Sequence, residues 1–128
     1  MSRNWEFFTE QEMQCKGTGV CDMNEDFMSK LIKLRRKFNE PMIITSGYRH
    51  PAYNMTIGGT RNSAHTKGRA VDVLVMGKEA LRLVRLALDT GMTGIGVAQK
   101  GKANTRFIHI DDLEDSDENP RPWIWSYK

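Results

Sequence analysis

Residues 46–72 of the chain read SGYRHPAYNMTIGGTRNSAHTKGRAVD and hold two of its three histidines. His65 and Asp72 lie seven residues apart, with Gly68 between them. At this spacing, a loop and the strand after it can bring an imidazole and a carboxylate together, and such a pair suits a divalent metal. We therefore predict half of a catalytic zinc site in this stretch.

A catalytic zinc site usually has three protein ligands and keeps a fourth position open, so a further ligand is needed. The remaining histidines are His50 and His109. His50 precedes Pro51 at a predicted turn, and we interpret it as a loop residue. His109 lies in the run FIHID, residues 107–111, where strand alternation puts Phe, His and Asp on one face and both isoleucines on the other. This alternation describes the wall of a cleft.

The length and composition predict one domain, residues 1–128, with a continuous core. Hydrophobic residues make up 39% of the chain, and no apolar run approaches the ~18 residues of a membrane span. The net charge of +3 is too small and too dispersed to indicate nucleic-acid binding. Residues 1–14 contain no apolar segment of the kind found in signal peptides, so we do not expect Sec export.

The spacing of apolar residues predicts two long helices and several short strands. The helices are expected at residues 24–39, capped by Asn24, and at residues 78–90. Strands are expected at residues 42–45, 70–75, 94–97 and 106–111, with one or two helical turns at 51–57, a polar hairpin-like loop at 99–105, and a final strand or cap at 122–127. Residues 1–23 are expected to be irregular, with Trp5, Phe7 and Phe8 packed on the core. This order predicts an α+β fold, a small and mainly antiparallel sheet with flanking helices.

Two other groups of potential metal ligands do not predict metal sites. Cys15 and Cys21 enclose a small glycine-containing loop, where we favour reduced or packing thiols over a disulfide or a metal. Five acids between residues 112 and 118 could suggest calcium, but the spacing and glycine of an EF-hand are missing. We interpret that segment as a solvated loop.

Three motifs together carry a family resemblance. The motifs, in chain order, are Ser-Gly-Tyr-Arg at residues 46–49 with Asn54, Ser-x-His-x-x-Gly-x-Ala-x-Asp at 63–72, and FIHID at 107–111. Their combination resembles the zinc D-alanyl-D-alanine carboxypeptidases and the related L-alanyl-D-glutamate endopeptidases, including phage endolysins. The resemblance spans roughly residues 10–125, and the middle motif is its specific part. It implies the compact fold shared with the hedgehog signalling domain. It also implies one zinc ion per chain, held by His65, Asp72 and His109.

Amide hydrolysis at such a centre needs a group that takes and returns a proton. Asp111, two residues after His109 and on its face of the strand, is the best candidate for this base. Better-known relatives carry an acid or histidine two or three residues before the last ligand, where this chain has Phe107 and Arg106. Neither is a base near neutral pH. Either Asp111 acts as the base, or an acid from elsewhere does, or catalysis is impaired.

Four polar residues are predicted to serve the substrate. Arg49, at the end of a strand, has a planar guanidinium that suits a substrate carboxylate or an oxyanion, and the alternative is a surface salt bridge. Tyr48 and Ser63 are expected to bind substrate or orient ligands, with turn or packing duty as the alternative. Asn54 is expected either to contact substrate or to cap the turn before Gly58.

The resemblance implies a zinc metallopeptidase that hydrolyses peptidoglycan stem peptides, and it leaves open which bond is cut. We expect a monomer without membrane or nucleic-acid partners. It would be made in the cytoplasm and reach the cell wall after phage-assisted release or as part of a virion. One alternative is a non-catalytic zinc-containing module that binds the cell wall or a protein, which the missing upstream base favours. Another is a metal-free scaffold domain.

Overall fold

The computed structural model of the protein describes residues 4–127. A short hairpin of β1 (Asn4–Trp5) and β2 (Phe8–Thr9) leads directly into α1 (Glu10–Met13). The Thr9 hydroxyl accepts the Glu12 N–H, and the Glu12 carboxylate accepts the Thr9 N–H, which is a capping box. The prediction of an irregular N-terminal region was therefore wrong for residues 4–13, because this reciprocal cap stabilises a helical turn too short to show periodicity. It holds for residues 14–23, which form neither helix nor strand, and its first three residues lie outside the described part of the chain.

The three N-terminal aromatic residues behave differently from one another. Phe8 is buried in the core, and Trp5 packs against it from a partly buried position. Phe7 is exposed at the hairpin turn, where the Arg35 guanidinium lies 4.5 Å from its ring centroid. The prediction of core packing thus holds for Phe8 and Trp5 and was wrong for Phe7.

The two long helices are confirmed as α2 (Glu25–Phe38) and α4 (Gly77–Asp89), and α3 (Pro51–Thr56) is the predicted short one. The Asn24 side chain accepts the Phe27 N–H at 3.0 Å and caps α2. Asn39 ends α2 in the left-handed conformation, with φ of 55°. Among the described residues, no helix has both the length and the apolar character needed to cross a membrane.

The larger sheet has five strands, each within one residue of its predicted bounds. They are β3 (Ile43–Ser46), β4 (Ala70–Leu74), β5 (Gly94–Ala98), β6 (Phe107–Asp111) and β7 (Trp123–Ser126). Their order across the sheet is β3-β4-β6-β5-β7. Every neighbouring pair is antiparallel except β5 and β7, which are parallel. The α+β fold with a mainly antiparallel sheet is thereby confirmed, and the tail is a strand.

The two faces of the sheet have different surroundings. Ile108 and Ile110 of β6 are buried in a core that also contains the apolar faces of α2 and α4. On the opposite face of the same strand, Phe107, His109 and Asp111 line a cleft. The predicted alternation along residues 107–111 is confirmed, and it places the polar residues on the side of the sheet away from the main core.

The cysteines are both free, as predicted. Cys15 is buried, and backbone hydrogen bonds close its loop, from the Cys15 N–H to Val20 at 2.7 Å and from the Gly19 N–H to Cys15 at 2.8 Å. The polypeptide itself therefore shapes this loop without a covalent link.

The acidic segment after β6 is more than a solvated loop, and that interpretation was wrong for its first residue. Asp112 is buried and accepts two hydrogen bonds of 2.8 Å from Arg69, and Lys30 of α2 lies 2.9 Å from the same carboxylate. Two cations compensate the cost of burying this charge. Asp112 thus ties the start of the loop to the body of the fold.

Candidate metal centre

The sheet register brings the predicted ligands together. Asp72 on β4 lies directly opposite His109 on β6, so adjacent antiparallel strands present a carboxylate and an imidazole side by side. His65 lies in a 3-10 turn, Ala64–Lys67, immediately before β4. The Ser63 hydroxyl accepts the His65 N–H at 3.2 Å at the start of that turn, and Gly68 ends it with φ of 68°.

The three ligand atoms form a nearly equilateral triangle. His109 Nδ1 lies 3.1 Å from Asp72 Oδ1 and 3.3 Å from His65 Nε2, and His65 Nε2 lies 3.2 Å from the same Asp72 oxygen. A tetrahedral ion with bonds of ~2.0–2.1 Å separates its ligand atoms by about 3.3 Å. All three side chains are buried, and within residues 4–127 they form the one such group found. The donor set and its dimensions therefore fit zinc.

Each imidazole is held by its other ring nitrogen. His65 Nδ1 lies 2.7 Å from the Gly47 carbonyl oxygen, so it donates its hydrogen there and leaves Nε2 free to ligate. His109 Nε2 lies 2.7 Å from the Asp111 carboxylate, two residues further along β6, so Nδ1 is the His109 atom left to ligate a metal. Such partners fix the tautomer and orientation of a metal-binding histidine.

The protonation of two of the three groups, His65 and Asp72, suits a cation, whereas His109 must lose a proton to ligate. Burial lowers the pKa of His65, which keeps its imidazole neutral. Burial opposes ionisation of Asp72, yet His65 and His109 hold the pKa of that carboxyl well below its ordinary value. Burial likewise opposes the His109 cation, but hydrogen bonds to Asp111 and Asp72 raise its pKa. The site therefore carries a carboxylate together with an imidazole that stays neutral.

Asp111 is completely buried beneath His109, and its two oxygens are fully engaged. Arg121 donates from Nε to Oδ1 at 2.9 Å and from Nη2 to Oδ2 at 2.8 Å, while His109 Nε2 shares Oδ2. Burial acts to raise the pKa of Asp111, but these hydrogen bonds lower it to about 2. This arrangement favours a positioning role for Asp111 over the predicted role as general base. Sequence reasoning missed Arg121, since nothing near it in the chain indicates its partner.

Arg49 lies beside the metal centre and faces the cleft. Its Nη2 is 3.7 Å from Asp72 Oδ2, its Nε donates to Ser46 Oγ at 3.2 Å, and its Nη1 donates to Asn54 Oδ1 at 3.3 Å. The side chain is 19% exposed, so it is not the surface salt bridge of the alternative interpretation. A guanidinium held at this place presents positive charge to a ligand in the cleft.

The other predicted substrate residues divide into lining and supporting positions. Ser63 lines the cleft while capping the His65 turn. Tyr48 is buried in the core and is absent from the cleft wall. Asn54 is also buried, donates to the Thr60 carbonyl at 2.9 Å, and supports Arg49 and the Gly58-Gly59 turn. Of the alternatives left open, the structure favours packing for Tyr48 and turn support for Asn54.

The cleft has a volume of about 580 Å³. Its wall beyond the metal ligands comes from residues 58–64 on one side and from β6, β7 and the loop before β7 on the other. Several lining residues were not predicted as site residues: Arg61, Glu118, Asn119, Arg121, Trp123, Trp125 and Tyr127. Alternation along residues 122–127 could have found the three aromatics among them, because they share one face of that strand.

Two glycines of β5 create the space beside the centre. A Cβ at Gly94 would lie 2.3 Å from Asp111 Oδ1, and a Cβ at Gly96 would lie 2.8 Å from Trp125 Nε1. Gly96 is paired with His109 on one side and Trp125 on the other. With no side chain between them, the Trp125 ring lies 5.0 Å from the His109 ring, measured between centroids.

Comparison with known proteins agrees with this geometry. The family model described as Peptidase M15 matches residues 6–111, which include His65, Asp72, His109 and Asp111. No curated protein matches the chain in sequence. The match covers most of the chain, and its residues include the complete His-Asp-His group. The chain therefore belongs to the Peptidase M15 family of metallopeptidases.

Proposed function

We propose that the protein is a zinc peptidase that hydrolyses an amide bond in peptidoglycan stem peptides. The observation that carries the proposal is the buried triangle of His65, Asp72 and His109, with edges of 3.1 to 3.3 Å, at the cleft. Membership of the M15 family supports the peptidase activity. The stem-peptide substrate rests on the resemblance of the three motifs and on the Arg49 guanidinium in the cleft wall.

These three side chains would hold the ion. When bound, zinc supplies the Lewis acidity that polarises an amide carbonyl and acidifies a water molecule. The protein contributes a preorganised donor set, because the Gly47 carbonyl and the Asp111 carboxylate already fix both imidazoles. Little reorganisation is then needed when the ion and the substrate arrive.

Arg49 binds the anionic part of the substrate in this proposal. Stem peptides end in, and branch at, carboxylates, and a guanidinium pairs well with such groups. The hydrogen bonds to Ser46 and Asn54 hold the Arg49 side chain in place before the substrate arrives. Preorganisation of this kind reduces the entropy that binding must otherwise lose.

Proton transfer requires an acid that is free to exchange its proton. Three acids line the cleft within residues 4–127: Asp72, Asp111 and Glu118. Asp72 belongs to the proposed ligand triangle, and the carboxylate of Asp111 is hydrogen-bonded to Arg121 and His109. Glu118 is exposed on the loop before β7, with Asn62 donating to it. We therefore assign the proton transfer to Glu118, which corresponds to the acid from elsewhere that the sequence left open.

The test is digestion of purified peptidoglycan with and without a zinc chelator, followed by mass spectrometry of the released fragments. We expect new peptide termini with the metal present and none after chelation, with activity restored when zinc is added back. The termini identify the bond that is cut. A protein that binds one zinc ion per chain and yet releases no fragment from any stem peptide would contradict the proposal.

That contrary result would support the second candidate, a non-catalytic module with the same fold. Arg106 and Phe107 occupy the two upstream positions, and Arg121 engages Asp111, the acid two residues after the last ligand. Such a module would bind stem peptides in the cleft without turnover. In either case we propose synthesis in the cytoplasm and delivery to the wall by phage lysis or within a virion.

A further inference from the structure

The segment after β6 adds a wall to the metal centre that the family match does not include. The match ends at residue 111, and residues 112–127 follow it. Strand β7 and the residue after it place Trp123, Trp125 and Tyr127 on the cleft side, while Ile124 is exposed elsewhere. The metal ligands and this aromatic wall therefore come from different parts of the chain.

Tyr127 lies close to the centre because Gly96 leaves room for it. A Cβ at position 96 would lie 2.8 Å from Tyr127 Cε2. The Tyr127 ring packs 5.1 Å from the Phe107 ring and 6.4 Å from the Trp125 ring, measured between centroids. Trp125 in turn contacts His109. These contacts hold the ring of Tyr127 while leaving it 38% exposed at the cleft.

The Tyr127 phenol is a neutral hydrogen-bond donor in the cleft wall. Burial raises the pKa of its phenol, and the charges of Asp72 and Asp111 act in the same direction, whereas the Trp125 indole and Arg49 oppose them. The phenol therefore keeps its hydrogen at neutral pH. Tyr127 lines the same cleft as Asp72, His109 and Arg49, so its ring and hydroxyl belong to the wall that a ligand at the centre would meet.

Two arginines beside the centre have protein partners, and one of them, Arg49, is assigned above to the anionic part of the substrate. Arg121 donates to Asp111 through Nε and Nη2 and to the Pro120 carbonyl through Nη1. Arg49 donates to Ser46 and Asn54 and lies against Asp72. A substrate carbonyl in the cleft therefore needs another donor if it is to be polarised from the side of β7.

We propose that Tyr127 is a catalytic residue whose hydroxyl donates a hydrogen bond to the carbonyl oxygen of the scissile amide. The bond strengthens as negative charge develops on that oxygen, so its effect is on the rate of the chemical step more than on substrate binding. The phenol gives up no proton and forms no covalent bond. This inference rests on the proposed peptidase function, and it adds a neutral donor to the cleft.

The test compares the wild type with Tyr127→Phe, which keeps the ring and removes only the hydroxyl. We expect kcat on the identified stem peptide to fall by about 100-fold with KM changed less than about threefold, as for loss of one oxyanion donor. Zinc content and zinc affinity should stay at the wild-type values. A variant whose structure is damaged would be expected to lose zinc as well as activity. Tyr53→Phe, which removes a hydroxyl from a partly buried ring on α3 outside the cleft, should match the wild type.

Two results overturn the inference in distinguishable ways. If the wild type turns over the peptide and Tyr127→Phe keeps its kcat within about twofold, the donor role of Tyr127 is wrong while the proposed function stands. If the wild type releases nothing, the proposed function fails and this inference fails with it.

Discussion

Arg121 donates two parallel hydrogen bonds to Asp111, of 2.9 and 2.8 Å, directly behind the ring of His109. The pair is buried, since the Asp111 carboxylate has no exposed surface and the Arg121 side chain is only 8% exposed. Bidentate pairs of this kind fix both position and angle. The chain of contacts from Arg121 through Asp111 therefore orients the His109 ring from a later part of the sequence.

Replacing Arg121 with glutamine should weaken zinc binding by about 10- to 100-fold, the range seen when such supporting groups are lost. Asp111 would lose its bidentate partner, so the His109 ring would lose its fixed orientation. Zinc affinity is measured by competition with a chromophoric chelator, and nitrogen NMR of His109 reports its tautomer. Arg82→Gln, which breaks ion pairs with Glu79 and Glu40 away from the cleft, is the matched control. Unchanged affinity in Arg121→Gln would contradict the positioning role.

Acid should destabilise the metal-free protein partly through Asp111. Its pKa is lowered from 3.8 to about 2 in the folded state, so the unfolded chain binds the proton more tightly. The resulting stabilisation is complete above about pH 4 and is lost as the pH falls toward about 2, and it is on the order of 2 kcal/mol. Urea unfolding in the presence of chelator should show this slope in the wild type.

The same unfolding series in Asp111→Asn should be flatter between about pH 4 and 2, because the titrating group is gone. The contribution of His109 to stability has the opposite pH dependence, because its pKa is raised in the folded state. This stabilisation is present below the ordinary pKa of histidine and is lost as the pH rises through the higher folded-state pKa. An equal slope for both proteins across the acid range would show that Asp111 is not the group responsible.

Zinc should stabilise the wild type against heat, because it binds the folded protein. At a free zinc concentration about 100 times the dissociation constant, the gain is about 2.7 kcal/mol. His65→Ala removes one corner of the ligand triangle and should abolish the shift in Tm. His50→Ala is the control, since His50 caps α3 by accepting the Ala52 N–H outside the cleft. A zinc-dependent shift that persists in His65→Ala would disprove this ligand set.

Glu118→Gln should lower kcat by about 100-fold while leaving zinc bound, which is the usual effect of removing a general acid–base group. Asp117→Asn changes the neighbouring acid, which is exposed and outside the cleft wall, and should have little effect. If Glu118→Gln keeps full activity, and Asp111→Asn retains zinc but loses turnover, Asp111 is the base after all.

The grouping of His65, Asp72 and His109 could be predicted from the sequence, because local rules are enough to bring these side chains together. Strand alternation put His109 on the polar face of β6, and the short glycine-containing loop explained how His65 could approach Asp72. The parts that escaped prediction depend on neighbours across the sheet. Tyr48 follows a strand end just as Arg49 does, yet its N–H bonds to Met13 and its ring packs in the core. The packing of α1 against β3 decides that Tyr48 lies in the core and not in the cleft.

The partnership of Arg121 with Asp111 could not be predicted for a related reason. It requires β7 to lie parallel to β5, after a loop whose path is determined by tertiary contacts such as the one between Asp112 and Arg69. Periodicity within residues 122–127 indicates which side chains share a face but not which strand lies beside them. Without Arg121 as a known neighbour, the sequence left Asp111 as a candidate base, whereas the pair with Arg121 favours a positioning role.

The bare cleft face of β5 allows the two halves of the cleft to be changed separately. Gly94 and Gly96 of β5 place no side chain between β6 and β7. The His-Asp-His group and the aromatic residues of β7 therefore contact each other only through their own side chains. A designer could replace Trp123 in the cleft wall while keeping His65, Asp72 and His109, the turn of His65, and Trp125 beside the His109 ring. Filling either glycine would remove that independence, because any added side chain would couple the metal half of the cleft to its wall.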